Sequence, residues 1–332
     1  MGLNRRKFIT TSALGAAGAL LVPYLTRAAI LNKNKLPGEI PMFTLNNGVN
    51  IPALGFGTYK TQEKTTDSVR KAIENGYRLI DTGAYYNNEV QVGEGIRQSG
   101  IPRSDLFLTT KLWIADYGSA KTLKAFEKSL ENFGTDYIDL YLLHYPTPSN
   151  FKETVESYKI MERLLAEGRI KAIGVSNFSN RHLENLMKET SVIPAVNQIE
   201  IHPWFIQKEM IVFNKQHGIV TQAWSPIGGI FINHPKNGNP ERYLLQDPII
   251  VTLAKKLNKT AAQVVLRWHY QNGVVVIPKS VQANRIKSNM EIFDFELSEA
   301  DMSVLNSITP QERGGTDPEI FDMNLMNSRN KK

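Results

Sequence analysis

The sequence predicts an α/β protein: a (β/α)8 TIM barrel with an N-terminal β-hairpin and extra C-terminal helices. Three observations carry this. Eight short, mostly continuous apolar runs recur between residues 54 and 277, as strands buried on both faces require. Amphipathic stretches separate them, which gives the strand–helix alternation of such a barrel. The chain has 332 residues, room for one barrel of about 250 residues and its extensions. A doubly wound open sheet shares the alternation and stays open on pattern alone.

The elements follow in chain order. Residues 1–28 read as an export signal. Arg5, Arg6, Lys7 and Phe8 precede a small apolar run from Ala13 to Val22, and Thr26, Arg27, Ala28 and Ala29 offer a cleavage site. The paired arginines resemble a twin-arginine signal. The apolar run is too short to span a bilayer, which needs about 20 residues. An uncleaved membrane anchor and a cytoplasmic protein are the alternatives to a periplasmic one. Residues 29–42 read as a linker, rich in Asn, Lys, Pro and Gly.

The barrel is expected over residues 43–308. It opens with a hairpin, because Asn47-Gly48 sits between the apolar runs that begin at Phe43 and end at Ile51. The eight strands are expected at 54–57, 79–81, 106–111, 138–143, 170–175, 195–199, 220–224 and 274–277. The clearest helix starts at the capping box Thr260 to Gln263 and runs on through Val264, Val265 and Trp268 to a stop at Gly273. Two loops are long, 146–152 after strand four and 228–247 after strand seven, and long loops in compact domains are usually functional. Helices are expected over 284–290 and 298–307. Residues 309–332 form a tail that could close over the barrel mouth.

Composition bounds the function. Loss of Arg5, Arg6, Lys7 and Arg27 with the signal lowers the formal charge from +7 to +3, so nucleic acid is not an expected partner. There is no cysteine, which excludes disulfides and thiolate metal sites. The six histidines show no metal-ligand spacing, and no metal is expected. Gly93 and Gly95 begin a dinucleotide-binding pattern, but Gln98 stands where its third glycine belongs.

Barrel enzymes place their chemistry at the C-terminal ends of the strands. Asp81, Lys111 and His144 end strands two, three and four, and Tyr86 follows Asp81 by five residues. A carboxylate, an ammonium, a phenol and an imidazole meeting there could move a proton to or from a carbonyl oxygen. A nearby ammonium stabilises a phenolate, so Lys111 is expected to lower the pKa of Tyr86 from its usual value of about 10. Asp81 would hold Lys111 charged, and neutral His144 would orient the carbonyl. Each residue alone reads more readily as structural. Their joint placement is the signal.

Five motifs in order then resemble the aldo-keto reductases. They are Gly76 to Glu89, Thr110 to Trp113, Asp139 to Pro146, Ile173 to Phe178 and Ile277 to Ser280, and the likeness spans residues 43–308. It is nearest to the bacterial 2,5-diketogluconate and methylglyoxal reductases. The resemblance implies NADPH-dependent reduction of aldehydes and ketones, with Tyr86 as general acid, Asp81 and Lys111 tuning it and His144 positioning the substrate. It also implies a cofactor site at Gly57, Thr58, Ser176, Asn177, Gln198, Trp224, Ser225, Ile227, Gly228, Lys279, Ser280, Val281, Arg285 and Asn289. Ser176, Asn177 and Gln198 suit a carboxamide, Trp224 a flat ring, and Lys279, Ser280 and Arg285 a 2′-phosphate, which favours NADPH over NADH.

Tyr59, Trp113, His144, Tyr145 and Trp204 are expected to line the substrate pocket. Partners would be a small carbonyl substrate and the twin-arginine machinery, with the enzyme a monomer. The sequence departs from the family at Gly83 (usually Ala), at Trp224 (more often Tyr) and before Asn289, where a Glu is common and Ser288 stands. A cofactor-binding sensor with little turnover is the competing reading. Retention of all four catalytic residues argues against it.

Overall fold

A computed structural model describes residues 40–228, 243–309, 311–323 and 325–326. The expected signal, residues 29–39 of the linker and most of the loop after strand seven lie outside these residues. The hairpin forms as expected, β1 (Met42–Thr44) against β2 (Asn50–Pro52), with Gly48 turning at φ 85°. Asn47 Nδ2 donates to Lys171 O at 2.8 Å and Asn46 Nδ2 to Pro194 O at 3.1 Å. These bonds seat the hairpin on the N-terminal ends of two barrel strands. The other end is left for the site.

Eight parallel strands follow: β3 (Phe56–Gly57), β4 (Leu79–Asp81), β5 (Phe107–Leu112), β6 (Ile138–Leu143), β7 (Ile170–Ser176), β8 (Val196–Glu200), β9 (Val220–Trp224) and β10 (Val275–Val276). Each pairs with its sequence neighbour. The two ends also meet: Leu54 bridges Val276, Gly55 N donates to Val276 O at 2.8 Å, and Gly57 N to Pro278 O at 3.1 Å. This closure decides for a barrel over an open sheet. It also shortens the first and last strands relative to the apolar runs, because single bonds rather than continuous ladders close the seam.

Among the described residues the α-helices are α1 (Thr65–Glu74), α2 (Glu89–Ser99), α3 (Ser119–Phe133), α4 (Phe151–Ala166), α5 (Asn180–Glu189), α6 (Lys208–Gln216), α7 (Pro248–Leu257), α8 (Ala261–Gln271), α9 (Ala283–Ser288) and α10 (Glu299–Asn306). The capping box forms at the start of α8, where Gln263 N donates to Thr260 Oγ1 at 3.2 Å. Val264, Val265 and Trp268 then bury one face of that helix. Alternation along the strands gives two apolar layers. Leu79, Leu140, Leu142, Val196 and Val275 pack together as one cluster; Ile80, Leu108, Tyr141 and Ile173 belong to the larger one, which the helix residues share. Each such side chain contributes about 1.5–3 kcal/mol of transfer free energy. Among the described residues no helix is long and apolar enough to cross a membrane.

Candidate active site

Asp81 closes β4 and Lys111 lies near the end of β5, and the two strands are paired neighbours. Both side chains are buried, 2 % and 1 % exposed. Lys111 Nζ lies 2.5 Å from Asp81 Oδ1 and donates to Thr82 O at 2.6 Å. The second carboxylate oxygen of Asp81 accepts from Gln198 Nε2 at 2.7 Å.

Past Asp81 the chain makes one tight turn. Tyr86 N donates to Gly83 O at 2.8 Å, and Asn87 ends the turn at φ 54°, a left-handed conformation that Asn tolerates. Thr82 Oγ1 donates to Asn88 Oδ1, and Asn88 Nδ2 donates to Thr58 O, so the turn is tied down on both sides. It holds the Tyr86 ring with its centroid 5.0 Å from Lys111 Nζ, 5.8 Å from the His144 ring and 4.8 Å from the Tyr59 ring. Gly83 lies among Lys111, Tyr86 and His144. A Cβ there would sit 3.4 Å from Lys111 Cβ, 3.5 Å from Tyr86 Cζ and 3.6 Å from His144 Cε1, ordinary contacts that an alanine would make.

Burial dominates the electrostatics. It pushes Asp81 up and Lys111 down, each opposed by the partner's charge. His144 is held well below the usual imidazole range, by burial first and by Lys111 second, so it is neutral at neutral pH. The expected acidification of Tyr86 is not seen. Burial drives its phenol well above the ordinary value, and Asp81 adds to the rise. The sequence shows the nearest cation. It does not show how thoroughly the barrel removes water, nor that Asp81 adds to the rise.

Asp81, Tyr86 and His144 line a cavity of about 500 Å³ whose wall also holds Ser176, Asn177, Gln198 and Trp224, and Lys111 joins them through its bond to Asp81. The wall's polar groups hold one another. Asn177, at φ 63°, donates to His144 O at 2.9 Å and to Ser176 Oγ at 3.1 Å, and its Oδ1 accepts from Trp224 Nε1 at 2.9 Å. Trp224 is thereby fixed in orientation, a role its indole N–H performs in addition to offering a flat face. Lys60, Lys279 and Arg285 also border the cavity. Burial and then Lys60 push the Lys279 ammonium down. Like charges held together in this way suit an anion. Amide groups, a flat ring and grouped cations on one wall fit a phosphate-bearing nicotinamide cofactor.

Residues 53–310 match the aldo/keto reductase family. The chain belongs to that family. Morphine 6-dehydrogenase of Pseudomonas putida is 49% identical over 289 residues, 86% of this chain and 97% of the relative. Glyoxal reductase of Bacillus subtilis is 46% identical over 277 residues, 83% and 95% of the two chains. A Bombyx mori aldo-keto reductase solved in complex with NADP superimposes with a TM-score of 0.77 at 31% identity, covering 87% of this chain and 97% of that one. The protein is an NAD(P)-dependent oxidoreductase of this family.

In this aldo/keto reductase most of the expected site residues meet. Gly57, Thr58, Ser225, Ile227, Tyr59, Trp113 and Tyr145 border the cavity with those already named. Others stand back from it. Trp204 is buried, its indole N–H donating to Asp247 Oδ2 at 2.9 Å and its carbonyl accepting from Glu312 N at 2.6 Å. It braces α7 and the tail, which corrects its placement in the substrate pocket. Ser280 Oγ accepts from Gln282 N at 3.1 Å, and Asn289 N closes α9 on Arg285 O. Val281 and Gly228 are likewise outside the cavity wall.

The sequence reading missed Lys60, Tyr85 and the tail residues Gly315, Thr316, Phe321 and Met326, all on the wall. Tyr85 stacks on Trp113 with centroids 4.1 Å apart, and Phe321 lies 4.4 Å from Tyr145. The doubled Tyr85-Tyr86 was the available signal for the first. Among the described residues no group of three or more His, Asp or Glu side chains could hold a metal ion.

Proposed function

We propose that this enzyme reduces aldehydes and ketones to alcohols, with NADPH as the hydride source and Tyr86 as the proton donor. One observation carries the reading. Tyr86, His144 and Asp81, the last paired with Lys111, border the same cavity as Ser176, Asn177, Gln198 and Trp224. When bound, the nicotinamide supplies a hydride to a carbonyl carbon. Neutral His144 donates a hydrogen bond to the carbonyl oxygen and fixes its position. The Tyr86 hydroxyl, kept protonated by its burial, releases its proton to that oxygen. An alkoxide is a stronger base than an ordinary phenolate, which favours the transfer. Lys111 then stabilises the phenolate left behind, and Asp81 keeps Lys111 charged.

Lys60, Lys279 and Arg285 support NADPH over NADH, because a 2′-phosphate adds charge where cations gather. Tyr59, Tyr85, Trp113 and Tyr145 give the carbonyl side an aromatic wall, and among the described residues Arg285, assigned to the cofactor's phosphate, is the one arginine that borders the cavity. This supports small aldehydes, ketones and keto-sugars, and the glyoxal reductase relative adds dicarbonyls. Loss of NADPH absorbance across such a panel is the test. Tyr86→Phe is expected to lower turnover by about 10²–10⁴-fold with NADPH affinity kept. A protein that binds NADPH and turns over nothing in the panel is a sensor and not a reductase.

The same proposal includes export. Arg5 and Arg6 before the apolar run support delivery of a folded, cofactor-loaded enzyme to the periplasm. Arg5→Lys with Arg6→Lys is expected to leave the protein in the cytoplasm on fractionation. Unchanged export discards the twin-arginine reading.

A further inference from the structure

Two glutamines pair inside the barrel. Gln198 on β8 and Gln222 on β9 are register partners in adjacent parallel strands, so their side chains leave the sheet on the same face. Both are buried. Gln198 Nε2 lies 2.7 Å from Asp81 Oδ2 and 2.7 Å from Gln222 Oε1. An amide nitrogen carries two hydrogens. One is committed to the carboxylate that holds Lys111, the other to Gln222. What Gln198 has left to offer the cavity, whose wall it forms, is its carbonyl oxygen.

Gln222 itself is not on that wall. Its Nε2 is buried without a hydrogen-bond partner among the described residues. Burying a polar group with an unmade bond is unfavourable, so the position costs stability that a plain apolar residue would not.

We propose that Gln222 is a positioning residue for the cofactor. By accepting from Gln198 Nε2 it fixes the plane of the Gln198 amide. The oxygen is then left toward the cavity, where it would accept from the NH2 of a nicotinamide carboxamide, and the nitrogen keeps its bond to Asp81. With Asp81 as its sole partner, the amide would be free to rotate about that one bond and carry its oxygen out of the cavity. Gln222 thus links the cofactor seat to the Asp81–Lys111 pair. This rests on the cofactor reading given above.

Gln222→Met keeps the length and removes the acceptor. NADPH dissociation constants come from quenching of tryptophan fluorescence on the full-length protein, with no turnover needed. The constant is expected to rise about tenfold, and KM for the carbonyl to stay within about twofold. The decisive step is the cycle with Gln198→Met. If Gln222 acts through Gln198, adding Gln222→Met to Gln198→Met raises the constant by less than about twofold. Gln222→Thr repeats the test with a polar residue too short to reach, should the Met variant not fold. An unchanged constant in the folded single variant overturns the proposal. So does a loss that multiplies in full on the Gln198→Met background. A wild-type protein that binds no NADPH overturns the cofactor reading itself, and this inference with it.

Discussion

Replacing Lys111 by Met separates the catalytic role of the buried ion pair from its structural one. The side chain is 1 % exposed, and its ammonium bonds to Asp81 and to Thr82 O. Removing one member of a buried pair commonly costs about 3–5 kcal/mol. The lower end applies here, because Asp81 keeps the Gln198 amide and burial already favours its protonated form. A loss of about 3 kcal/mol in a chain of this size lowers the melting temperature by about 6 °C. For catalysis, a unit charge 5.0 Å from the Tyr86 ring, at an effective dielectric constant of about 20, is worth about 3 kcal/mol to a phenolate. That is about two powers of ten in rate. Protonation of Asp81 in the variant returns part of this, since its charge opposes the phenolate. The expected result is a turnover about 50–100-fold lower, with NADPH affinity held within about twofold. Single-turnover oxidation of bound NADPH measures the step directly. On a Tyr86→Phe background the same substitution is expected to add little, because Lys111 acts through the phenol. A variant that melts lower yet turns over within about threefold of wild type would refute the reasoning and leave Lys111 a structural residue.

Three other expectations follow from particular contacts. His269 is buried, its Nε2 3.0 Å from Pro226 O, and its pKa is lowered to about 3. Below the unfolded value of 6.5 the unfolded chain takes a proton that the folded chain refuses, so stability falls as pH falls. Between pH 6.5 and 5 this amounts to about 2 kcal/mol, and urea midpoints that agree at the two pH values would contradict it. Gly83→Ala is expected to fold and turn over like wild type, since its methyl would meet ordinary contacts, whereas Gly315→Ala would drive its methyl to 2.4 Å from Trp224 Cη2 and raise KM for the carbonyl. Equal kinetics for the two variants would show that the tail yields freely. Lys279→Ala with Arg285→Ala is expected to weaken NADPH about 10–100-fold and NADH much less, by the loss of charge-assisted bonds. Equal losses for the two cofactors remove the 2′-phosphate assignment.

The meeting of Asp81, Tyr86, Lys111 and His144 was legible because its signals are local. Asp81, Lys111 and His144 each end an apolar run, and the barrel rule turns three strand ends into one place. Tyr86 needed the motif around it, since a loop tyrosine has no pattern of its own. What failed depended on surroundings rather than on spacing. Trp204 follows β8 as a pocket aromatic could, yet the fold aims its indole at Asp247, far along the chain. The acidity of Tyr86 failed for a related reason: charge is written in the sequence and desolvation is not, and inside a barrel desolvation is the larger effect.

The tail carries this furthest. Nothing periodic marks the tail, yet Gly315, Thr316, Phe321 and Met326 complete the cavity, because a buried carboxylate at the end of β8 captures this segment. Glu200 accepts from Gly314 N at 2.8 Å and from Gly315 N at 2.9 Å, with His202 Nε2 3.0 Å away. Two backbone amides on one carboxylate form charge-assisted bonds that a neutral side chain would not match. The path they impose brings Gly315 so close to the Trp224 ring that no side chain fits between. It also sets Phe321 6.1 Å from Trp113. Further along, Glu319 pairs with Arg181 at the start of α5. The cavity is therefore walled by residues more than 200 positions apart. Their meeting depends on a glutamate that is not itself on the cavity wall, which is why the shape of this pocket is harder to read from the chain than its polar cluster.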